Sequence, residues 1–264
     1  MRILILSNSH LASLYYAFIK MKSIGDLKAK FDFCGIVGGG FNRCEFSDKK
    51  LHIKDSISNA EKIKISKEML ATYGNTMINI NSYDYIIIYS LGLSLNNYIA
   101  SLTFRSDING VKAFPLLSSK AVLEIYNRYL NWCPAAHLFS VLGPQLKGEV
   151  FYMSGPLLNG RTVDLESNKL VKNILADEQI ELFSNNYWSF VDKVSSLNNV
   201  SVIRSPKSTI ENFVFTKPDY FNNSPTFNSI IYSKESFYSN LTTHGNVDYG
   251  EIVLKNLINY LSVK

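Results

Sequence analysis

The sequence predicts an α/β fold in which a parallel sheet is covered on both faces by helices. Short apolar runs alternate with longer amphipathic stretches, which is the pattern of β-α-β units. Glycine or small polar residues follow the apolar runs, as expected where a strand turns into a helix. We predict strands over 2–7, 31–37, 83–89, 149–153 and 200–203, and a short edge strand over 49–54.

The first half of the chain contains the clearest elements. The apolar run 2–7 is typical of a buried parallel strand, and 11–22 follows as a helix with its apolar residues on one stripe. The run 31–37 ends at three glycines, and 60–73 is a helix with its charges on one face. The strongest strand signal is Tyr-Ile-Ile-Ile-Tyr in 83–89. Crossovers between parallel strands are expected to be right-handed.

The second half continues the alternation and adds one irregular stretch. A helix is predicted over 118–132, with Ser118 or Ser119 as its N-cap, and another begins at Pro134. The strand 149–153 stops at a Ser-Gly-Pro turn. The remaining predicted elements are a helix over 177–197, a loop-rich insertion or lid over 207–243 and a last helix over 247–261. Within the insertion, 222–238 is predicted to be a lid or a substrate loop.

Composition limits the classes of protein that the chain can belong to. Its 264 residues suit a single α/β domain over 1–264, with two small domains as the weaker alternative. The net charge of +5 is spread along the chain without a dense basic run, so nucleic-acid binding is not predicted. The 16 tyrosines and 16 phenylalanines are expected mainly to fill the core.

The cysteines and the apolar segments bear on the compartment. Cys34, Cys44 and Cys133 are odd in number and fit no metal-binding spacing, and Cys34 and Cys133 are expected in the core. A chain without a disulfide framework is typical of a reducing compartment. We find no signal peptide and no stretch long enough to span a membrane. These observations together predict a cytoplasmic protein.

Two residues from opposite ends of the chain are candidates for nucleophilic chemistry. Ser9 follows the first strand, where its hydroxyl would leave the sheet and backbone N–H groups would face a developing anion. His244 lies in a polar turn before the last helix, where it could act as the base for Ser9. Alternatively, the Ser7–Ser9 segment only caps a helix and His244 is a surface residue. His10 is expected to be structural, with its side chain pointing away from that of Ser9, and His52 and His137 receive no role.

The segments around these two residues resemble conserved blocks of a known family. Ser7-Asn8-Ser9-His10 resembles block I of the SGNH/GDSL hydrolase superfamily, in its Gly-Asn-Ser-His variant. His244-Gly245-Asn246 with Tyr249-Gly250 resembles the last block. The resemblance implies a flavodoxin-like three-layer α/β/α domain with a central parallel sheet. It also implies ester hydrolysis or acyl transfer, often on carbohydrate O-acetyl groups, without a metal or an organic cofactor.

Carried over to this chain, the resemblance assigns roles to individual residues. Ser9 would be the nucleophile and His244 the general base. The family's oxyanion hole uses the serine N–H, a block II glycine and a block III asparagine. The block II glycine would be Gly40, which precedes Phe41-Asn42. Block III would map to 90–93, with Gly92 as its glycine. The binding residues implied by the resemblance are therefore Gly40, Asn42 and Gly92.

The chain also departs from the family pattern at three positions. Ser7 replaces the block I glycine. Block III has no asparagine next to its glycine, and Asn96 and Asn97 come several residues later. Leu241 occupies the position of the family's catalytic acid, three residues before the histidine. Three outcomes stay open: Asp248 or Asp219 substitutes, a carbonyl orients the base in a Ser-His dyad, or hydrolysis is lost. For Asp248 we favour an ordinary first-turn acid that the helix dipole stabilises.

The sequence therefore predicts a serine esterase or O-acyltransferase that forms an acyl-Ser9 intermediate on a small acylated substrate such as an O-acylated carbohydrate. The alternative is a catalytically impaired relative that binds a glycan or a protein partner. A third hypothesis, a nucleotide or flavin binder of similar fold, has no phosphate-binding motif in its support. The oligomeric state is not predicted.

Overall fold

A computed structural model describes residues 1–25, 29–95, 98, 130–146, 149–160, 180–232, 238–239 and 244–264. The strands in the first part of the chain are β1 Arg2–Ser7, β2 Lys30–Gly35, β3 Cys44–Ser47, β4 Lys50–Ile53, β5 Met77–Asn79, β6 Tyr85–Tyr89 and β7 Val150–Met153. The later strands are β8 Leu158–Asn159, β9 Ser201–Ile203, β10 Ile210–Glu211, β11 Phe215–Thr216, β12 Ser224–Pro225 and β13 Tyr238–Ser239. The helices are α1 Leu11–Ser23, α2 Asn59–Tyr73, α3 Pro134–Leu142, α4 Ile180–Ser196, α5 Phe227–Tyr232 and α6 Val247–Ser262.

The central sheet has five parallel strands in the order β2-β1-β6-β7-β9. This is the flavodoxin-like arrangement, so the predicted fold class is confirmed. The chain runs from β1 outward to β2 and then crosses to β6 on the other side of β1. Ser7 is in register with Gly35 on β2 and with Tyr89 on β6, so the three strands end at one level. In such sheets a cleft forms beyond these carboxyl ends, where the strand order reverses.

Alternating residues of each strand are buried on opposite faces of the sheet. On one face Leu4, Leu6 and Ile88 join the core formed with α2, α3 and α4. On the other face Ile3 and Ile5 join the core formed with α1 and α6. A central strand that is buried on both sides needs the continuous apolar sequence seen in β1 and β6.

Helices α1 and α6 pack closely because Gly250 lies at their crossing. A Cβ atom built at Gly250 would lie 2.2 Å from the carbonyl oxygen of Ser13 and 2.9 Å from Cβ of Ala17. The backbone of α6 therefore touches the backbone of α1 within one turn of the N-terminus of each helix. Lys20 on α1 also pairs with Asp248 and Glu251 on α6.

The predicted edge strand 49–54 exists as β4, but it does not extend the central sheet. It pairs antiparallel with β3 and β5 in a separate three-stranded sheet. Asp48 and Lys49 connect β3 to β4 with φ angles of 50° and 63°. Two consecutive left-handed residues are typical of the tight turn of a β-hairpin. This hairpin was not predicted from the sequence because neither turn residue is glycine or asparagine.

The structure also bears on the predicted bounds of β2, on the predicted helix 118–132 and on the predicted core cysteines. Strand β2 ends at Gly35, two residues earlier than predicted. The predicted helix 118–132 lies almost wholly outside the described residues, which resume at 130. The core positions of Cys34 and Cys133 are confirmed, and both are buried free thiols, as is Cys44.

The loop-rich stretch 207–243 consists of short elements where it is described. Helix α5 lies within it, and Phe227 and Ile230 of this helix are buried in the core formed with α1 and α6. A Cβ atom at Gly35 would lie 2.4 Å from the Phe227 ring. Phe227 of the predicted lid is thus packed onto the end of β2. Within the described ranges, no helix combines the length and the apolarity that a membrane span requires.

Candidate active site

Ser9 and His244 meet at the carboxyl edge of the central sheet. Oγ of Ser9 and Nε2 of His244 are 2.8 Å apart, although 235 positions separate the two residues in sequence. Both side chains are half-buried. Serine hydrolase sites have at their centre a serine hydroxyl that donates a hydrogen bond to a neutral imidazole.

Asn8 holds Ser9 in its position. The Asn8 side chain accepts a hydrogen bond from the N–H of His10 at 3.1 Å and donates one to the carbonyl of Ser90 at 3.2 Å. Its own carbonyl accepts the N–H of Leu11, the first residue of α1. Asparagine forms such local turns readily because its side chain is short and bonds the backbone two residues on. Asn8 therefore fixes the turn after β1 and ties it to the end of β6.

His244 is held by the segment that precedes α6. Its carbonyl accepts a hydrogen bond of 2.7 Å from the Ser224 hydroxyl. Asn246 caps α6 by accepting the N–H of Tyr249, and its amide nitrogen donates to the carbonyls of Asp219 and Asn222. A Cβ atom at Gly245 would lie 2.4 Å from the Tyr249 ring, so this turn requires glycine. The block formed by His244, Gly245, Asn246 and Tyr249 thus acts as one rigid unit.

Burial lowers the pKa of His244 below its ordinary value, because a buried imidazolium loses hydration. The lowered pKa keeps the imidazole neutral at pH 7, and a neutral imidazole can accept a proton from Ser9. The electrostatics of the site therefore suit a base.

The backbone N–H groups around Ser9 are only partly available to a ligand. Those of His10 and Leu11 donate to Asn8, which leaves the N–H of Ser9 itself in this turn. The N–H of Gly92 donates to the carbonyl of Ser90 at 3.1 Å, in a turn where Gly92 has a φ of 86°. Gly92 thus shapes the end of β6, and its N–H is engaged within the protein.

The block II residues lie in the loop that leaves β2 on the other side of β1. A Cβ atom at Gly40 would lie 2.0 Å from the Ile36 side chain, so the loop folds tightly there. Asn42 donates from its amide to the carbonyl of Trp132 at 3.0 Å. Asn42 therefore links the loop after β2 to the residues that precede α3. The oxyanion role of Gly40 stays a prediction.

Asp248 lies in the first turn of α6, and its carboxylate pairs with Lys20 at 3.3 Å. The side chain is 72% exposed. This position matches the favoured interpretation of Asp248 as a first-turn acid of the helix. The three candidates that the family pattern places near the acid and in block III, Leu241, Asn96 and Asn97, lie outside the described residues.

His10, whose side chain was expected to point away from that of Ser9, contacts the base of the candidate pair. The rings of His10 and His244 are in contact, with centroids 4.5 Å apart and planes inclined by 34°. The ring stands on this side because Asn8 accepts the N–H of His10 and fixes its backbone at the start of α1. Burial and the neighbouring His244 lower the pKa of His10 to about 3, so its ring is neutral at pH 7.

Ser90 is a structural part of the site whose role was not predicted from the sequence. Ser90 is buried at the end of β6 with a φ of 53°, which is uncommon for a residue other than glycine. Its carbonyl accepts hydrogen bonds from Asn8 and Gly92. A Cβ atom at Gly155 would lie 2.2 Å from the Ser90 hydroxyl, so Gly155 makes room for it. The Ser-Gly pair at 154–155 was a signal of this close approach.

Comparison of the chain with protein-family models, curated proteins and solved structures finds no match. Among the residues that the structure describes, no group of three or more histidine, cysteine or acidic side chains could hold a metal ion. The groups at the site that could carry out chemistry are therefore Ser9, His244 and their neighbours.

Proposed function

We propose that the chain is a serine esterase or O-acyltransferase of the SGNH type, acting on a small acylated substrate such as an O-acylated carbohydrate. The observation that carries the proposal is the 2.8 Å contact between Ser9 Oγ and His244 Nε2. It is supported by the lowered pKa of His244 and by the position of the pair at the β1/β6 switch point. We further propose that the protein works in the cytoplasm.

In the first half-reaction Ser9 Oγ attacks the ester carbonyl while its proton moves to His244 Nε2. The N–H of Ser9 and an N–H of the loop after β2 stabilise the negative oxygen of the tetrahedral intermediate. The intermediate collapses by breaking the bond to the leaving alcohol, which takes the proton from Nε2. The products of this step are the free alcohol and acyl-Ser9.

In the second half-reaction an acceptor hydroxyl attacks acyl-Ser9 and gives its proton to His244. Collapse of the new tetrahedral intermediate releases the acyl product and returns the proton to Ser9 Oγ. Water as the acceptor makes the protein an esterase, and a sugar hydroxyl makes it an acyltransferase. The two activities share the same Ser9–His244 pair.

The proposal is tested by covalent labelling with a fluorophosphonate, followed by intact mass measurement. The reagent phosphonylates an activated serine, forming an Oγ–P bond with loss of fluoride. We expect one adduct on the wild type and none on Ser9→Ala. Ser23→Ala is the matched control, because Ser23 is an exposed serine at the far end of α1, and it should label like the wild type.

Absence of an adduct on the wild type, in protein shown to be folded, would contradict the proposal. An adduct that persists in Ser9→Ala would contradict it equally, because the reactive residue would then lie elsewhere. Tryptic mapping of the labelled peptide identifies that residue.

The pH dependence of labelling follows from the lowered pKa of His244. We expect the labelling rate to be constant at neutral pH and to fall in acid, as protonation removes the base. Its midpoint should lie below about 6.5, the ordinary pKa of histidine. Second-order labelling rates between pH 4.5 and 8 measure this midpoint, and a midpoint above 6.5 would show that the base is not the buried His244.

The second candidate function is binding without turnover, to a glycan or a protein partner. Two observations favour it: Leu241 occupies the position of the family's acid, and the carboxylate of Asp248 is engaged with Lys20. The labelling experiment separates the candidates, because a protein that only binds does not need an activated serine.

A further inference from the structure

We propose that His10 is a positioning residue whose ring packs against His244 and holds the base at the angle at which its Nε2 faces Ser9. This inference rests on the proposed function and assigns His10 a part in the same site. The observation behind the inference is the contact between the two rings, whose centroids are 4.5 Å apart.

The geometry of His10 makes it a fixed support for a neighbouring ring. Its backbone N–H is bound by the Asn8 side chain, and its carbonyl accepts the Ser13 hydroxyl at 3.1 Å. Asn8 in turn is bound to the end of β6 through Ser90. The ring is therefore anchored to the same turn that positions Ser9, so movement of one would move the other.

The Ser9–His244 hydrogen bond needs such a support. An imidazole can rotate about χ2, which has a broad torsional profile, and would then lose the alignment with Ser9 Oγ. A flat ring against one face of His244 restricts this rotation. Because bond strength falls steeply with angle, restricting the ring raises the fraction of time in which Nε2 can accept the proton.

The chemistry of His10 suits an uncharged packing surface for His244 better than a second base. Its Nδ1 is inaccessible and has no hydrogen-bond partner. Burial keeps its pKa at about 3, so His10 stays uncharged while His244 titrates. The ring shields one face of His244 from water, which agrees with burial as the cause of the lowered pKa of His244.

Other titratable groups around the pair do not account for this environment. Burial is the cause of the lowered pKa of His244, and Lys20 is engaged in ion pairs with Asp248 and Glu251. The titratable side chains on the described elements that carry or flank the pair are Tyr15, Tyr16, Lys20 and Lys22 on α1, Tyr85 and Tyr89 on β6, Asp219 and Tyr220 in the turn Pro218–Phe221, and Asp248, Tyr249, Glu251, Lys255 and Tyr260 on α6.

The test compares two substitutions, each of which keeps one property of His10 and removes another. His10→Phe keeps a flat ring and removes the nitrogens, whereas His10→Gln keeps polar atoms and removes the ring. Each folded variant is labelled with the fluorophosphonate, and the rate is measured from pH 4.5 to 8. We expect His10→Phe to stay within about threefold of the wild-type rate and His10→Gln to lose about tenfold or more, a size typical of lost orientation.

The pH profile and a spectroscopic measurement give a readout beyond the rate. In His10→Gln the exposed face of His244 is hydrated, so the acid midpoint should move up towards the ordinary value of histidine. NMR of the imidazole protons follows His244 directly, because the chain has only four histidines. His52→Gln, on the separate β3-β4-β5 sheet, is the control variant and should change neither quantity.

Every outcome of the comparison decides the proposal. Equal rates in His10→Gln and the wild type would overturn it, and so would a His10→Phe variant as slow as His10→Gln. If Ser9 never labels, the proposed function fails, yet the NMR titration still decides whether His10 sets the environment of His244. An unchanged His244 titration in His10→Gln would then remove the inference as well.

Discussion

Replacement of His244 by alanine should reduce the labelling of Ser9 by about 10⁴-fold or more, the size of effect seen when a serine hydrolase loses its base. The Ser9 hydroxyl then has no group at 2.8 Å to take its proton, and a free serine is a weak nucleophile at neutral pH. The global fold should persist, because His244 lies in a turn at the sheet edge and is only half-buried. Labelling rates together with circular dichroism measure the two effects.

The control for this substitution is His52→Ala. His52 contacts the Ser47 hydroxyl within the β3-β4-β5 sheet, away from the carboxyl edge that carries Ser9. It should label at the wild-type rate. If His244→Ala also labels at that rate, another base activates Ser9, and the role assigned to His244 is wrong.

The fold was predictable from the sequence because parallel strands buried on both faces need uninterrupted apolar runs. Strands β1 and β6 are of this kind, and the prediction placed them within two residues of their observed bounds. The β3-β4 hairpin was not predicted, since its turn is formed by Asp48 and Lys49 at positive φ. Such a conformation is fixed by the pairing of the flanking strands more than by local preference.

The Ser9–His244 pair was predicted, whereas its surroundings were not. The pair could be inferred because the segments around Ser9 and His244 resemble the first and last blocks of one family. In the structure β1 lies between β2 and β6, and α6 packs against α1, which follows Ser9. The contact of His10 with His244 depends on the turn that Asn8 forms. The alternation of side-chain directions along an extended chain does not apply in such a turn. Likewise, the positive φ of Ser90 could not be predicted, because its role depends on the contacts of Ser90 with Asn8 and Gly155.

The engagement of Asp248 with Lys20 has a consequence for the acid of the proposed site. The ion pair joins α6 to α1, the helices that begin beside His244 and Ser9. In this role Asp248 would hold the two helix ends together without orienting the imidazole. The exposed position of the pair limits its contribution to about 1 kcal/mol or less. The closer constraint on the two helices is the backbone contact at Gly250.

Gly250→Ala should destabilise the protein and slow the labelling of Ser9 together. The new Cβ atom would meet the carbonyl oxygen of Ser13 at 2.2 Å, and a backbone atom cannot move aside as a side chain can. Alanine in a helix is favoured over glycine by about 1 kcal/mol, but overpacking against a backbone costs about 3 kcal/mol, so the clash prevails. Relief requires α6 to move away from α1, which would draw His244 from Ser9 and cost up to about 100-fold in rate.

Gly160→Ala is the matched control for this substitution. It adds the same methyl group, and among the described residues the nearest atom to the new Cβ would be Glu211 Oε1 at 3.8 Å, an ordinary contact. Urea unfolding gives the free energy of each variant, and labelling gives the reactivity of Ser9. A Gly250→Ala protein with wild-type stability and labelling would show that the α1–α6 contact does not set the Ser9–His244 distance. Loss of both properties together would indicate that this helix crossing, whose glycine follows the last-block histidine by six residues, holds the reactive pair in place.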